Sequence, residues 1–195
     1  CPVSSYTQTQ NFLMMNTKMI ILFFLAAVSC GERHMTTIST NDALVRYKDQ
    51  LEGRNFIIIP ETRSNILKWY DSIPDYRIPD AISNRSFKME AQPGEYLVFQ
   101  AGVWAIVSEV PDVKVSFSDL SGSGGKIIPA SELTCFNTQG IGFNGKPFTK
   151  NVNISAGRMQ VLWMGADLDG VERGVYKGSV IISSGGSEQT LNLSL

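Results

Sequence analysis

The sequence predicts a mainly β protein, with an immunoglobulin-like antiparallel β-sandwich over residues 86–195. Three observations carry that expectation. From Ser86 onward, short runs rich in β-branched and aromatic residues alternate with Gly-Gly, Asn-Gly and Asp-Gly turn signals to Leu195, a pattern of many short strands. No long helical periodicity interrupts them. The run VKVSFSDL alternates, placing Val113, Val115 and Phe117 on one face and Lys114, Ser116 and Ser118 on the other, as in a strand with one wet face.

Ahead of the sandwich, the chain reads in four parts. Residues 1–14 form a polar leader that begins with Cys1 and reads as extraneous upstream translation. Residues 15–29 read as a signal peptide, because Lys18 precedes an unbroken apolar run from Met19 to Val28 and small residues close it. The run is about half of the roughly 20 residues that a membrane-spanning helix needs. The ending Ala27-Val28-Ser29-Cys30 resembles a bacterial lipobox, which makes Cys30 the expected lipidation site and first mature residue. The protein is then expected to be exported and lipid-anchored to the bacterial envelope, in the periplasm or on the outer-membrane surface. Residues 30–40 are polar and aperiodic and read as a tether.

Residues 41–85 read as a connector. Asn41 is placed to cap a short helix through about Glu52, with Leu44, Tyr47 and Leu51 on one face. FIIIP over 56–60 reads as a short strand stopped by Pro60. Pro74 and Pro79, in IPDYRIPD, favour an irregular extended path, with Trp69 and Tyr70 pinning it to a surface.

Within the sandwich, YLVFQAGVWAIV and MQVLWM are apolar on both parities. A strand buried on one face only would alternate, so the second face of these strands is expected to be covered, either by another domain or by the 41–85 connector.

Composition narrows the function. Without residues 1–29, 166 residues remain with 16 basic and 18 acidic side chains. A formal charge of −2 with no basic block gives no footprint for nucleic acid. Cys135 is the one cysteine left in the mature domain, so no internal disulfide is expected, and LTCF reads as core. The single histidine, His34, lies in the tether, which leaves no material for a Ser-His or Cys-His nucleophile. The glycine-rich runs SGSGG (121–125) and QGIGFNG (139–145) precede strands instead of the helix a phosphate cradle requires. Asp167 and Asp169 in GADLDG lack the remaining ligands of a calcium loop and read as a turn. Neither Glu90 with Glu95 nor Asp167 with Asp169 is placed across a sugar as glycoside hydrolysis demands. No catalytic residue, cofactor or metal site is expected. Trp104, Phe136, Trp163 and Tyr176 could form a sugar-stacking platform, and Trp104 and Trp163 are the candidates for interdomain or glycan contact.

Six phrases carry a wider likeness: PGEYLVFQAGVWA (93–105), VSFSDLSG (115–122), IPASELTCFN (128–137), GKPFTKNV (145–152), VLWMGADL (161–168) and GVYKGSVII (174–182). In that order they resemble the N-terminal domain of glycoside hydrolase family 123 proteins, which are common in Bacteroidota. The resemblance implies a β-sandwich ahead of a TIM-barrel catalytic domain acting on β-linked N-acetylgalactosamine. It also implies a retaining mechanism in which the substrate's acetamido group attacks, assisted by an adjacent Asp-Glu pair. A barrel takes about 250 residues and is absent from this chain, so no catalytic residue carries over. The expectation is a non-catalytic accessory sandwich whose partner is that barrel; the alternative is a stand-alone glycan-binding surface lipoprotein module.

Overall fold

The computed structural model describes residues 36–68 and 71–195. The leader, the signal segment, Cys30, His34, Trp69 and Tyr70 lie outside the described residues.

In chain order the elements are β1 (Thr37–Ser39), α1 (Thr40–Arg46), α2 (Lys48–Leu51), β2 (Phe56–Thr62), β3 (Ser72–Pro74), a 3-10 turn (Asp75–Arg77), α3 (Ile78–Ser83) and β4 (Ser86–Lys88). They continue with β5 (Tyr96–Ala105), β6 (Lys114–Phe117), β7 (Leu120–Gly122), β8 (Ile127–Ile128), β9 (Leu133–Cys135), β10 (Gln139–Ile141) and β11 (Pro147–Thr149). The last three are β12 (Met159–Asp167), β13 (Tyr176–Ser184) and β14 (Ser187–Ser194).

Two sheets form the expected sandwich. One has four antiparallel strands in the order β2-β5-β12-β9, and the other runs β4-β14-β13-β7-β8, with β6 also paired to β13. All pairings are antiparallel except β14 with β4. Alternation puts Leu97, Phe99, Ala101 and Val103 of β5 and Leu162, Met164 and Ala166 of β12 into one core with Val180, Ile182, Leu191 and Leu193 of the second sheet. Val113 is buried, with Val115 and Phe117 packed against that core, as their alternation requires. Cys135 is buried there and forms no disulfide among the described residues.

β6 and β7 are one strand path broken by a bulge. The Ser118 N–H donates to the Ser179 carbonyl at 3.0 Å, and the Ser118 hydroxyl accepts from the Ser179 N–H at 2.9 Å. Gly178 faces this break, where an added Cβ would lie 2.6 Å from the Asp119 carbonyl oxygen. Only glycine lets the two backbones approach so closely.

The other faces of β5 and β12 hold a second core. Trp104, Met159 and Val161, with Ile57 and Ile59 of β2, are covered by Ile38, Ala43, Leu51, Leu67, Ile73 and Ile78. Residues of the connector, with Ile38 from the end of the tether, are therefore what covers these two-sided strands, forming a third layer over the four-stranded sheet.

This layer corrects three expectations. The sheet begins well before Ser86: β2 runs past Pro60 to Thr62 and pairs with β5 from Phe56↔Ala105 to Thr62↔Phe99. Pro60 is tolerated because β2 is an edge strand, where one side of the backbone has no ladder partner to lose. The end of the tether is ordered, since β1 pairs with β3 and buries Ile38 opposite Ile73. The helix cap is Ser39 and not Asn41: the Ser39 hydroxyl accepts from the Asp42 N–H at 3.1 Å, satisfying an orphan donor of the first turn. The expected face of that helical segment holds, with Leu51 buried and Leu44 and Tyr47 packed against the second core.

Candidate functional site

The covering layer ends at a polar seam on β2 and β5. Gln100, fully buried, accepts from the Leu67 N–H at 2.9 Å and donates through Nε2 to the Thr62 carbonyl at 2.7 Å and the Asn65 carbonyl at 3.2 Å. Its cross-strand neighbour Glu61 is also fully buried. Arg77 donates to it twice at 2.8 Å, Tyr76 Oη donates at 2.5 Å, and the Thr62 N–H donates at 2.8 Å. Burial pushes the Glu61 carboxyl up, but hydrogen bonds from Arg77, Tyr76 and Thr62 outweigh it and hold the group below its ordinary value. The tyrosine hydroxyl is driven the other way, by burial and by the carboxylate it faces. A buried charge so completely paired is a fastening between connector and sheet.

Beyond the seam the outer face opens. Register places Trp163 opposite Gln100, Gly165 opposite Val98 and Asp167 opposite Tyr96. Phe136 follows β9 on the same face, its N–H donating to the Trp163 carbonyl at 2.9 Å. Tyr96 and Phe136 lean across β12 from either side, their ring centroids 6.2 Å apart and their planes 36° apart. Gly165 lies beneath both. A Cβ there would sit 2.5 Å from the Tyr96 ring and 2.7 Å from the Phe136 ring. The two rings remain 44% and 41% exposed, and Trp163 is half-buried at the seam. Burial raises the Tyr96 hydroxyl pKa and the Asp167 carboxylate adds to it, while a hydrogen bond with Thr134 opposes both.

Phe136 also walls an open groove of about 470 Å³ beside the uncovered edge of β12, between that edge and the β10–β11 hairpin. Phe148, 40% exposed, is a second aromatic residue of its lining, beside Asn137, Asn153, Gln160 and Lys150. Two of these amides cap the edge: Asn137 Oδ1 accepts from the Trp163 N–H at 2.7 Å, and Gln160 Nε2 donates to the Val161 carbonyl at 3.0 Å. Such side-chain capping blocks the edge as a template for another strand.

Of the residues singled out from the sequence, the structure brings Phe136 and Trp163 together on the open face. Trp104 shares that face but is buried: it is 0% accessible under the chain's own connector, and its Nε1 has no hydrogen-bond partner among the described residues. This corrects its assignment as a contact residue, because no surface is left for a glycan or a second domain. Tyr176 belongs to the opposite sheet and is buried, its hydroxyl donating to the Glu172 carbonyl at 2.9 Å. Tyr96 takes its place. The signal was available, since Tyr96 has the same parity along β5 as Trp104. Asp167 and Asp169 form the expected turn, the Asp169 N–H donating to Asp167 Oδ1 at 3.0 Å. Glu95 closes a turn through the Gln92 N–H and pairs with Arg63 at 2.8 Å, whereas Glu90 is exposed beside Lys88. Among the described residues, no group of three or more His, Cys, Asp or Glu is placed to hold a metal ion, and no helix is long and apolar enough to cross a membrane.

Comparison with protein families gave no match, and no curated protein matches the chain. Among solved structures, it is similar to a family 123 glycoside hydrolase from Clostridium perfringens described for glycolipid glycan hydrolysis. The identity is 20% over 56% of this chain, with a TM-score of 0.45. The matched region spans 22% of that enzyme's chain. A PapD-like domain of human CEP192 is similar at 15% identity over 57% of this chain and 79% of its own, with a TM-score of 0.38.

Proposed function

We propose that this chain is the non-catalytic accessory β-sandwich of a family 123-type glycoside hydrolase acting on β-linked N-acetylgalactosamine, and that it packs against and positions a catalytic barrel. One observation carries the reading. Three of the phrases that resemble the family, over 93–105, 128–137 and 161–168, fold into β5, β9 and β12, which are adjacent in one sheet. Their outer-facing residues Tyr96, Phe136 and Trp163 meet at the part of that sheet the connector leaves open. The phrases that resemble the family thus lie side by side on one surface of the sheet.

The test is to read the coding sequence downstream of codon 195. An in-frame barrel containing an adjacent Asp-Glu pair is expected, with release of N-acetylgalactosamine by the complete protein. A stop codon with no neighbouring barrel gene would overturn the accessory role and leave the stand-alone glycan-binding module.

The envelope location is part of the same proposal and rests on the segment ending at Cys30. Metabolic labelling with a fatty acid should mark the protein, and Cys30→Ser should abolish the label. Persistent labelling would exclude that cysteine as the anchor.

A further inference from the structure

We propose that the groove between the edge of β12 and the β10–β11 hairpin is a non-catalytic saccharide-binding site. In it, a pyranose ring stacks on Phe136 and Phe148 while its hydroxyl groups meet the amides of the lining.

The chemistry of the walls selects the ligand. A pyranose has an apolar C–H face and a rim of hydroxyls that both donate and accept. The groove offers the complement of each. Phe136 and Phe148 leave about two-fifths of their surfaces open, which neither the sandwich core nor the second core requires. The polar atoms at the rim are partly committed, in a way that leaves defined vacancies for a ligand. Asn137 and Asn153 use their carbonyl oxygens to accept from Trp163 and Asp112 N–H groups, at 2.7 and 2.8 Å. Among the described residues their amide N–H groups have no other partner and remain as donors. Gln160 uses its amide nitrogen on Val161, so its carbonyl remains as an acceptor. Lys150 forms no ion pair among the described residues and adds a further donor. These anchored amides are held in place before a ligand arrives, which lowers the ordering cost of binding.

Size and charge narrow the class further. A volume of about 470 Å³ falls within the range of small-ligand sites, about 300–1,000 Å³. A protein partner covers roughly 800 Å² per side, far more than two half-open phenylalanine rings present. Among the described residues no carboxylate lines the groove, which disfavours a cation. The 36° angle between Tyr96 and Phe136, with Gly165 beneath them, extends the aromatic floor past the groove along the sheet. A second sugar unit would lie there, toward the hydroxyl of Tyr96 and the Asp167 carboxylate.

The choice of sugar probe rests on the proposed glycosidase context; the site itself does not. The test is titration of the full chain with methyl β-N-acetylgalactosaminide, methyl β-galactopyranoside and methyl β-glucopyranoside, followed by calorimetry and saturation-transfer NMR. Saturable binding of at least one probe is expected with Kd on the order of 1 mM, with the strongest transfer to the C–H face of the ring. Phe136→Ala and Phe148→Ala should each weaken it at least fivefold. Phe148 sits on a surface hairpin, so that variant keeps the test valid even if Phe136→Ala fails to fold. Val107→Ala, at an exposed position outside the groove, should change nothing. No saturable binding of any probe up to about 10 mM, or binding unchanged in Phe148→Ala, would overturn the site. Either negative result leaves the accessory role standing, because that role depends on the downstream coding sequence.

Discussion

Arg77 grips Glu61 with two parallel hydrogen bonds of 2.8 Å, one from Nε and one from Nη2, each to a different carboxylate oxygen. The pair joins the turn ahead of α3 to edge strand β2, so it ties the covering layer to the sheet at the margin of the open face. Glu61 is fully buried, whereas the Arg77 side chain is 22% exposed.

Glu61→Gln should therefore cost about 2–4 kcal/mol, because it leaves a mostly buried guanidinium without its counter-charge. Denaturant unfolding at pH 7 measures this. Arg77→Met should be at least as costly, since it strands the carboxylate that is buried more deeply.

The same pair sets a pH dependence. The folded-state pKa of Glu61 is depressed, so its stabilisation is fully present above the ordinary glutamate value of about 4.3 and is lost as pH falls through the lower, folded value. The wild-type protein should lose stability more steeply than Glu61→Gln as pH is lowered below about 4.3. Parallel curves for the two proteins would show that Glu61 does not carry the effect.

Two glycines should respond differently to alanine. At Gly178 the new methyl meets a backbone oxygen at 2.6 Å and Leu120 at 2.5 Å, and backbone gives way poorly, so a loss of about 1–3 kcal/mol is expected. At Gly102 the nearest atom is the Met159 sulfur at 2.7 Å, the middle of a flexible side chain, and the loss should be smaller. Thermal unfolding of the two variants gives the comparison.

Trp104 separates packing from polarity. Trp104→Ala should cost about 3–5 kcal/mol through the cavity it leaves. Trp104→Phe should cost much less, because it also removes an indole N–H that has no partner among the described residues. Equal losses in the two variants would show that ring packing at this position does not carry the effect.

A chain beginning at Ser86 should not yield a soluble sandwich. It lacks β2 and the covering layer, exposing the edge of β5 together with Trp104, Met159 and Val161. Aggregation on refolding is expected and light scattering would record it; a soluble, cooperatively unfolding fragment would show that the third layer is dispensable.

The strands from Ser86 onward were legible because alternation and turn residues are local signals, as at Val113, Val115 and Phe117 or at the Asp167–Gly170 turn. The role of 41–85 was not. Pro60 reads locally as a strand stop, and only its edge position in the assembled sheet makes it harmless. Tyr96 was missed for a related reason. Its parity along β5 was visible, but its convergence with Phe136 over Gly165 depends on which strand lies on either side of β12.

The sequence by itself determined that this is a sandwich and that β5 and β12 carry apolar residues on both faces, because the period of apolar residues reports how many faces of a strand are drawn out of water. Tertiary structure alone decided what covers the second face and where the cover stops. The connector supplies that cover, burying Trp104, and the seam of Glu61, Arg77 and Gln100 marks its limit. The reason is physical: a residue's pattern records that it must be buried, while its partner comes from elsewhere in the chain and is settled only when distant segments pack together.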